Sequence, residues 1–288
     1  MLPRMTVAFD EVDGQRIVTF GKGPRKIIAM HGVSAVSMCW ATIGRRLPDD
    51  WSLIAIDLRG RGQSDSLPGP YGLDRHAEDV LRIADRVGAG PDAVLTGHSM
   101  GAYVAVLVAA QREFAKVVLV DGGIPFAPLP EGQDPDTATQ ALLGPALERL
   151  RQTYASPEEY VAFFKAHPAF AGKWTDDVEA YVRYDLTGPE GALRSRAVGE
   201  AVLEDGRWLF AERDRIAADL ERVSTPMTLL RAPRGLLDQP VGMLPDDLVR
   251  PWVDRLPTLH DEVVPDCNHY TILFDERCAD IVAERLTS

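Results

Sequence analysis

Short apolar runs alternate along this chain with longer stretches in which apolar residues recur at helical spacing. The first two runs, 7–12 and 16–20, are joined at Asp13-Gly14, a tight-turn dipeptide, and predict a β-hairpin. The run KIIAM at 26–30 is apolar throughout and ends at His31-Gly32, the mark of a strand buried on both faces. Further strands are expected at 52–56 (SLIAI), 93–96 and 116–120 (KVVLV). Between them, 37–47, 73–87 and 99–112 carry helical patterns; in the second, Leu73, Ala77, Val80, Leu81, Ala84 and Val87 share one face.

The rhythm then breaks. From 125 to 223 no apolar strand flanked by glycines occurs; helices rich in aromatic residues are expected at 139–154, 157–166, 175–186, 192–203 and 214–222. Pro125, Pro128, Pro130 and Pro135 mark the way in, and Thr225-Pro226 the way out. Strands resume at 227–230 and 260–264, followed by helices at 246–255 and 272–285. Strands alternating with helices imply an α/β fold, a mostly parallel sheet with helices on both faces. The expected organisation is a core of 1–124 and 224–288, with 125–223 inserted as a helical lid. In such sheets ligands bind beyond the carboxyl ends of strands. That singles out His31, Asp57, Ser99, Asp121, Asp238 and His269.

Composition narrows the picture. With 288 residues and 45% apolar content the chain can bury a sizeable core, and its net charge of −12 disfavours nucleic acid and anionic membranes as partners. The three cysteines, Cys39, Cys267 and Cys278, form no C-x-x-C pair and suit a reducing, cytoplasmic setting. Residues 1–6 contain no apolar run of leader length, and no stretch approaches a membrane span. Neither H-E-x-x-H nor a G-x-G-x-x-G after the first strand occurs, so no metal and no dinucleotide cofactor is expected; the expected partner is a small-molecule substrate.

The candidate chemistry lies at Gly97-His98-Ser99-Met100-Gly101, a G-x-S-x-G between a strand and an apolar helix. A serine there sits on a strained turn, where side chains two residues before and after it would crowd the backbone. The helix start supplies unpaired N–H groups and a positive dipole end, which suit a developing oxyanion. A serine hydroxyl is a weak nucleophile and needs a base. Of the six histidines, His31 belongs to the His-Gly turn, His98 is inside the Ser99 turn, His76 and His167 lie in helical patterns, His260 opens the last strand, and His269 lies in a loop after that strand.

Four features in order resemble the α/β-hydrolase superfamily and its lid-bearing, carboxylesterase-like branch: His31-Gly32, the stretch Asp57-Leu58-Arg59-Gly60-Arg61-Gly62-Gln63-Ser64, the Ser99 motif, and Asn268-His269. The resemblance implies an eight-stranded sheet and a Ser–His–Asp triad of Ser99, His269 and an acid between them in the chain. Asp238 is the first choice for that acid and Asp121, after the strand at 116–120, the rival. The resemblance also assigns the oxyanion hole to the backbone N–H groups of Val33 and Met100 and gives His31 a bracing role. The implied activity is hydrolysis of a carboxylic ester of a small, largely apolar substrate through an acyl-enzyme. Lactones, thioesters, C–C bonds and small peptides are alternatives for the same triad, and a non-catalytic ligand receptor is the alternative of another class.

Overall fold

The computed structural model describes residues 6–288. The remaining residues, 1–5, which hold most of the N-terminal stretch read as leader-free, lie outside the described residues. Among the described residues there are ten strands: β1 (Val7–Val12), β2 (Gln15–Gly21), β3 (Arg25–Met30), β4 (Trp51–Ile56), β5 (Val94–His98), β6 (Lys116–Val120), β7 (Leu186–Thr187), β8 (Arg194–Ser195), β9 (Met227–Arg231) and β10 (Leu259–Val263). Eight of them form one sheet in the order β1-β2-β4-β3-β5-β6-β9-β10, and β7 and β8 pair separately. The β1–β2 and β2–β4 pairings are antiparallel and the other pairings of the large sheet parallel. The eight-stranded, mostly parallel sheet expected from the sequence is therefore present.

The central strands β3, β4, β5 and β6 are buried almost along their whole length, as apolar runs covered on both faces must be. The helices are α1 (Ala41–Gly44), α2 (Leu73–Arg86), α3 (Met100–Ala109), α4 (Pro135–Arg151), α5 (Pro157–Lys165), α6 (Asp176–Tyr184), α7 (Gly199–Ala211), α8 (Arg213–Arg222), α9 (Asp246–Arg255), α10 (Thr271–Phe274) and α11 (Glu276–Thr287). One core packs α2, α3 and α8 on one face of the sheet; the other packs α10 and α11 on the opposite face, joined by Tyr160, Phe164 and Tyr181 of α5 and α6. Among the described residues no helix is long and apolar enough to cross a membrane.

The helix expected at 272–285 is broken at Asp275 into α10 and α11, and that expected at 37–47 shortens to α1 after a 3-10 turn; two further departures have clear local causes. α4 begins at Pro135 because Asp134 accepts from the Thr137 amide at 2.8 Å, an N-cap followed by proline at the first helical position. The helix expected at 192–203 starts only at Gly199; before it the chain pairs as β7 and β8, turning through Gly188 and Gly191, both at positive φ.

The segment between β6 and β9 is tied to the rest by buried polar contacts. Tyr184 donates to Asp57 Oδ2 at 2.7 Å, Asp177 pairs with Arg45 and accepts from Thr42 Oγ1 at 3.0 Å, and the Val198 amide donates to the Gly60 carbonyl at 2.9 Å. Asp205 of α7 meets Arg61 Nη1 at 2.5 Å and His76 Nε2 at 2.8 Å, and accepts from the Gly72 amide at 2.6 Å. Burial opposes ionisation of Asp205, but Arg61 and His76 outweigh it and hold the carboxyl well below the usual carboxylate range.

Candidate active site

The turn carrying Ser99 follows from its glycines. A Cβ at Gly97 would lie 2.0 Å from the Gly101 carbonyl oxygen, and one at Gly101 would lie 2.4 Å from that of Met30. No other residue lets β5, the turn and α3 approach so closely against β3. Ser99 takes φ 54° and ψ −122°, a conformation that a non-glycine residue adopts only under constraint. Its amide donates to the Val120 carbonyl at 2.9 Å, fastening the turn to β6. Ser99 is thus lifted above the sheet at the first turn of α3, and it lines a cavity of about 410 Å³.

His269, in the loop between β10 and α10, lines the same cavity. Its Nδ1 lies 2.6 Å from Asp121 Oδ2, and both side chains are buried. A carboxylate can only accept, so Nδ1–H donates to Asp121 Oδ2. Asp121 is itself fixed: its amide donates to the Leu230 carbonyl at 2.7 Å, and its Oδ1 accepts from the Ala232 amide at 3.0 Å. His98 donates through Nε2 to the His269 carbonyl at 2.8 Å, and burial keeps its imidazole neutral by pushing its pKa far below the usual range.

This geometry corrects the expectation that Asp238 faces the imidazole. Asp238 is partly exposed and paired with its near neighbour Arg234, Nε to Oδ1 at 2.8 Å. Its reach toward the histidine loop is indirect: Asn268 Nδ2 donates to Asp238 Oδ1 at 3.0 Å and to the Ala169 carbonyl at 2.9 Å. The physical reason is sheet order. β6 lies beside β5, so Asp121, the first residue after β6, stands next to the Ser99 turn. Asp238 lies seven residues beyond the end of β9, in a loop where Arg234 pairs with it.

The opposite wall is the loop after β3. Among the described residues no cap, turn or loop bond uses the amides of Val33 or Met100. The Gly32 carbonyl, whose peptide carries the Val33 N–H, accepts from His31 Nδ1 at 2.8 Å and from the Ala35 amide at 3.1 Å. His31 Nε2 accepts from the Leu58 amide at 3.0 Å; burial pushes its pKa down to about 3, so it remains the neutral, doubly bonded brace. Arg61, fully buried, donates through Nε to the Val33 carbonyl at 2.9 Å and so links that loop to Asp205. Asp57 accepts from the Ser37 amide at 2.8 Å and the Gln63 amide at 2.9 Å. Burial raises its pKa against these bonds. It braces the wall and does not line the cavity.

The cavity walls are largely apolar, with Phe126, Leu143, Phe163 and Leu209 among the contributors, and Leu236 and Leu237 come from the loop that carries Asp238. Sequence reasoning missed His98 as an anchor of His269 and Arg149 as a cavity residue. His98 had no signal beyond its place in the motif, and Arg149 none at all, since its helix reads as surface on charge alone. Among the described residues no cluster of three His, Cys, Asp or Glu is arranged to hold a metal ion, and the three cysteines are buried thiols.

The chain has recognisable relatives. It is 33% identical over 104 residues to lipase LipV of Mycobacterium tuberculosis, a match covering 35% of this chain and 39% of that protein. It is 34% identical over 110 residues to N-formylmaleamate deformylase of Pseudomonas putida, covering 37% and 41%. The matches thus span less than half the length of either relative. The crystal structure of E-2-(acetamidomethylene)succinate hydrolase superposes over 99% of this chain and 98% of its own with a TM-score of 0.77 at 21% identity, a likeness of fold. The sequence model of the alpha/beta hydrolase family matches residues 27–285, from β3 through α11, and the chain belongs to that family.

Proposed function

We propose that this hydrolase cleaves carboxylic esters through an acyl-enzyme on Ser99, with His269 as base and Asp121 as the acid that orients it. The observation that carries the reading is the convergence on one cavity of a strained serine and a histidine whose Nδ1 is engaged by a buried carboxylate. Ser99 Oγ attacks the ester carbonyl carbon as His269 Nε2 takes its proton. The carbonyl oxygen becomes an oxyanion that accepts from the Val33 and Met100 amides. The C–O bond to the alcohol then breaks, and His269 returns the proton to the leaving oxygen. A water, deprotonated by His269, attacks the acyl carbon; the acid leaves and Ser99 regains its proton. Asp121 holds the Nδ1–H tautomer and stabilises the imidazolium.

In this reading the helical segment 125–223 is the lid that shapes the substrate cavity. The relatives' names, a lipase and a deformylase, support acyl transfer to water and leave the scissile bond, C–O or C–N, to experiment. Intact-mass analysis after fluorophosphonate treatment tests the assignment. The expected result is one adduct on the wild type, none on Ser99→Ala and a strongly slowed reaction on His269→Ala. A wild type that takes no adduct overturns it.

A further inference from the structure

Although most of the cavity wall is apolar, polar side chains gather on it with donors that no protein group uses. Arg149 of α4 is buried. Its Nη1 donates to Asp185 Oδ2 at 3.1 Å and to the Tyr160 hydroxyl at 2.5 Å, and its Nη2 donates once, to the Ser34 carbonyl at 3.2 Å. The Nε–H and the second Nη2 hydrogen make no bond. Among the described residues the hydroxyls of Tyr181 and Tyr270 have no partner either. His167 Nδ1 accepts from the Ala169 amide at 3.2 Å, so its proton sits on Nε2, which is likewise unpartnered. The His167 and Tyr270 ring centroids are 5.5 Å apart. All four side chains line the cavity that holds Ser99, and none of these free donor atoms is among the sealed, unpartnered atoms of the interior.

A purely structural role accounts for only part of this. The strut to Asp185 occupies one edge of the guanidinium, and Asp185 is also held by the Tyr160 hydroxyl at 2.6 Å and the Ser195 hydroxyl at 2.7 Å. The other edge and three neutral donors remain open to the cavity. An alkyl chain seated there would strand them, whereas a carboxylate offers about four acceptor sites and pairs with arginine in a fork. Resting on the serine-hydrolase reading above, we propose that Arg149, Tyr181, Tyr270 and His167 form a carboxylate subsite, and that the substrate is an acyl compound bearing a second, free carboxylate. Ser34 directly follows Val33, so the guanidinium is anchored one residue along the chain from the amide assigned to the oxyanion. Both sites line one cavity, so the expected substrate carries its free carboxylate on a short chain from the scissile carbonyl.

The test compares p-nitrophenyl glutarate monoester with p-nitrophenyl valerate, which has the same chain length and a methyl in place of the carboxylate. The wild type is expected to favour the anionic ester in kcat/KM by about 10- to 100-fold, with free glutarate a competitive inhibitor. Tyr181→Phe and Tyr270→Phe each remove one hydroxyl and are expected to lower the ratio of anionic to neutral ester by about 3- to 10-fold. Arg149→Met is expected to abolish the preference. Because that change also unpairs Asp185 and can unfold the lid, the wild-type ratio and the tyrosine variants decide. Equal rates for the two esters, in protein that takes the fluorophosphonate on Ser99, overturn the subsite and leave the hydrolase reading standing. Protein that takes no fluorophosphonate overturns the hydrolase reading, and the subsite with it.

Discussion

Asn in place of Asp121 is the sharpest perturbation of the site, because the two carboxylate oxygens have different duties. Oδ1 accepts from the Ala232 amide at 3.0 Å and Oδ2 accepts from His269 Nδ1 at 2.6 Å. An amide has one acceptor and one donor end. If its oxygen keeps Ala232, its NH2 faces Nδ1, and the imidazole must shift its proton to Nε2, where it can no longer deprotonate Ser99. If it flips, the tautomer survives, but an NH2 group meets the Ala232 N–H in a buried site. That leaves both donors unsatisfied, at about 1–3 kcal/mol each. The first arrangement is therefore favoured, and the base is lost. Asp121→Asn is expected to lower kcat/KM by about 1000- to 10000-fold, which is about 4–5.5 kcal/mol of transition-state stabilisation. Asp238→Asn keeps its oxygen for Asn268 and is expected to cost less than about tenfold. The assay is hydrolysis of a p-nitrophenyl ester by both variants, with far-ultraviolet circular dichroism to confirm folding. A larger loss in the Asp238 variant than in the Asp121 variant would refute the reasoning.

Other consequences are as direct. Gly101→Ala drives a methyl into the Met30 carbonyl and is expected to destabilise by more than about 3 kcal/mol, read as lost soluble yield or a lowered Tm; an unchanged Tm argues against the close approach. Asp205→Asn leaves Arg61 without its buried counterion, at about 3–5 kcal/mol in urea unfolding. Through the Arg61 bond to Val33 it is expected to lower kcat as well as stability. His31 is held neutral, with its pKa pushed down to about 3. The unfolded chain therefore binds a proton that the folded one refuses, and the stability present above about pH 6.5 falls as pH drops, by up to about 1.4 kcal/mol per unit. His31→Gln should flatten urea-unfolding free energies between pH 7 and 5; an unaltered slope would count against this.

The sheet was readable because its central strands are buried on both faces and so appear as unbroken apolar runs bounded by His31-Gly32 and the Ser99 motif. Periodicity was weaker after Val120. The start of α4 is set by the Asp134 cap, a local signal easily read as one more proline-rich loop. The pairing of β7 with β8 involves too few residues to leave a pattern. Ser99 and His269 stand out in the sequence because a motif and a resemblance place each after a strand, and both line one cavity. The choice between Asp121 and Asp238 depends on which strand neighbours β5, a fact of sheet order that the linear chain does not carry. Arg149 was invisible for a similar reason: nothing in its helix distinguishes an arginine turned into a cavity from one turned to water.

The buried ties between the helical segment and the core bear on how freely this protein could be recombined. Each tie is divided: Tyr184 and Asp205 belong to the segment, Asp57 and Arg61 to the core. A chimera that received a foreign segment lacking both would strand an acid and a guanidinium in the interior, beside the very loop that carries Val33. The segment is therefore not a cassette, and transplants succeed only if a hydroxyl for Asp57 and a carboxylate for Arg61 travel with the donor helices.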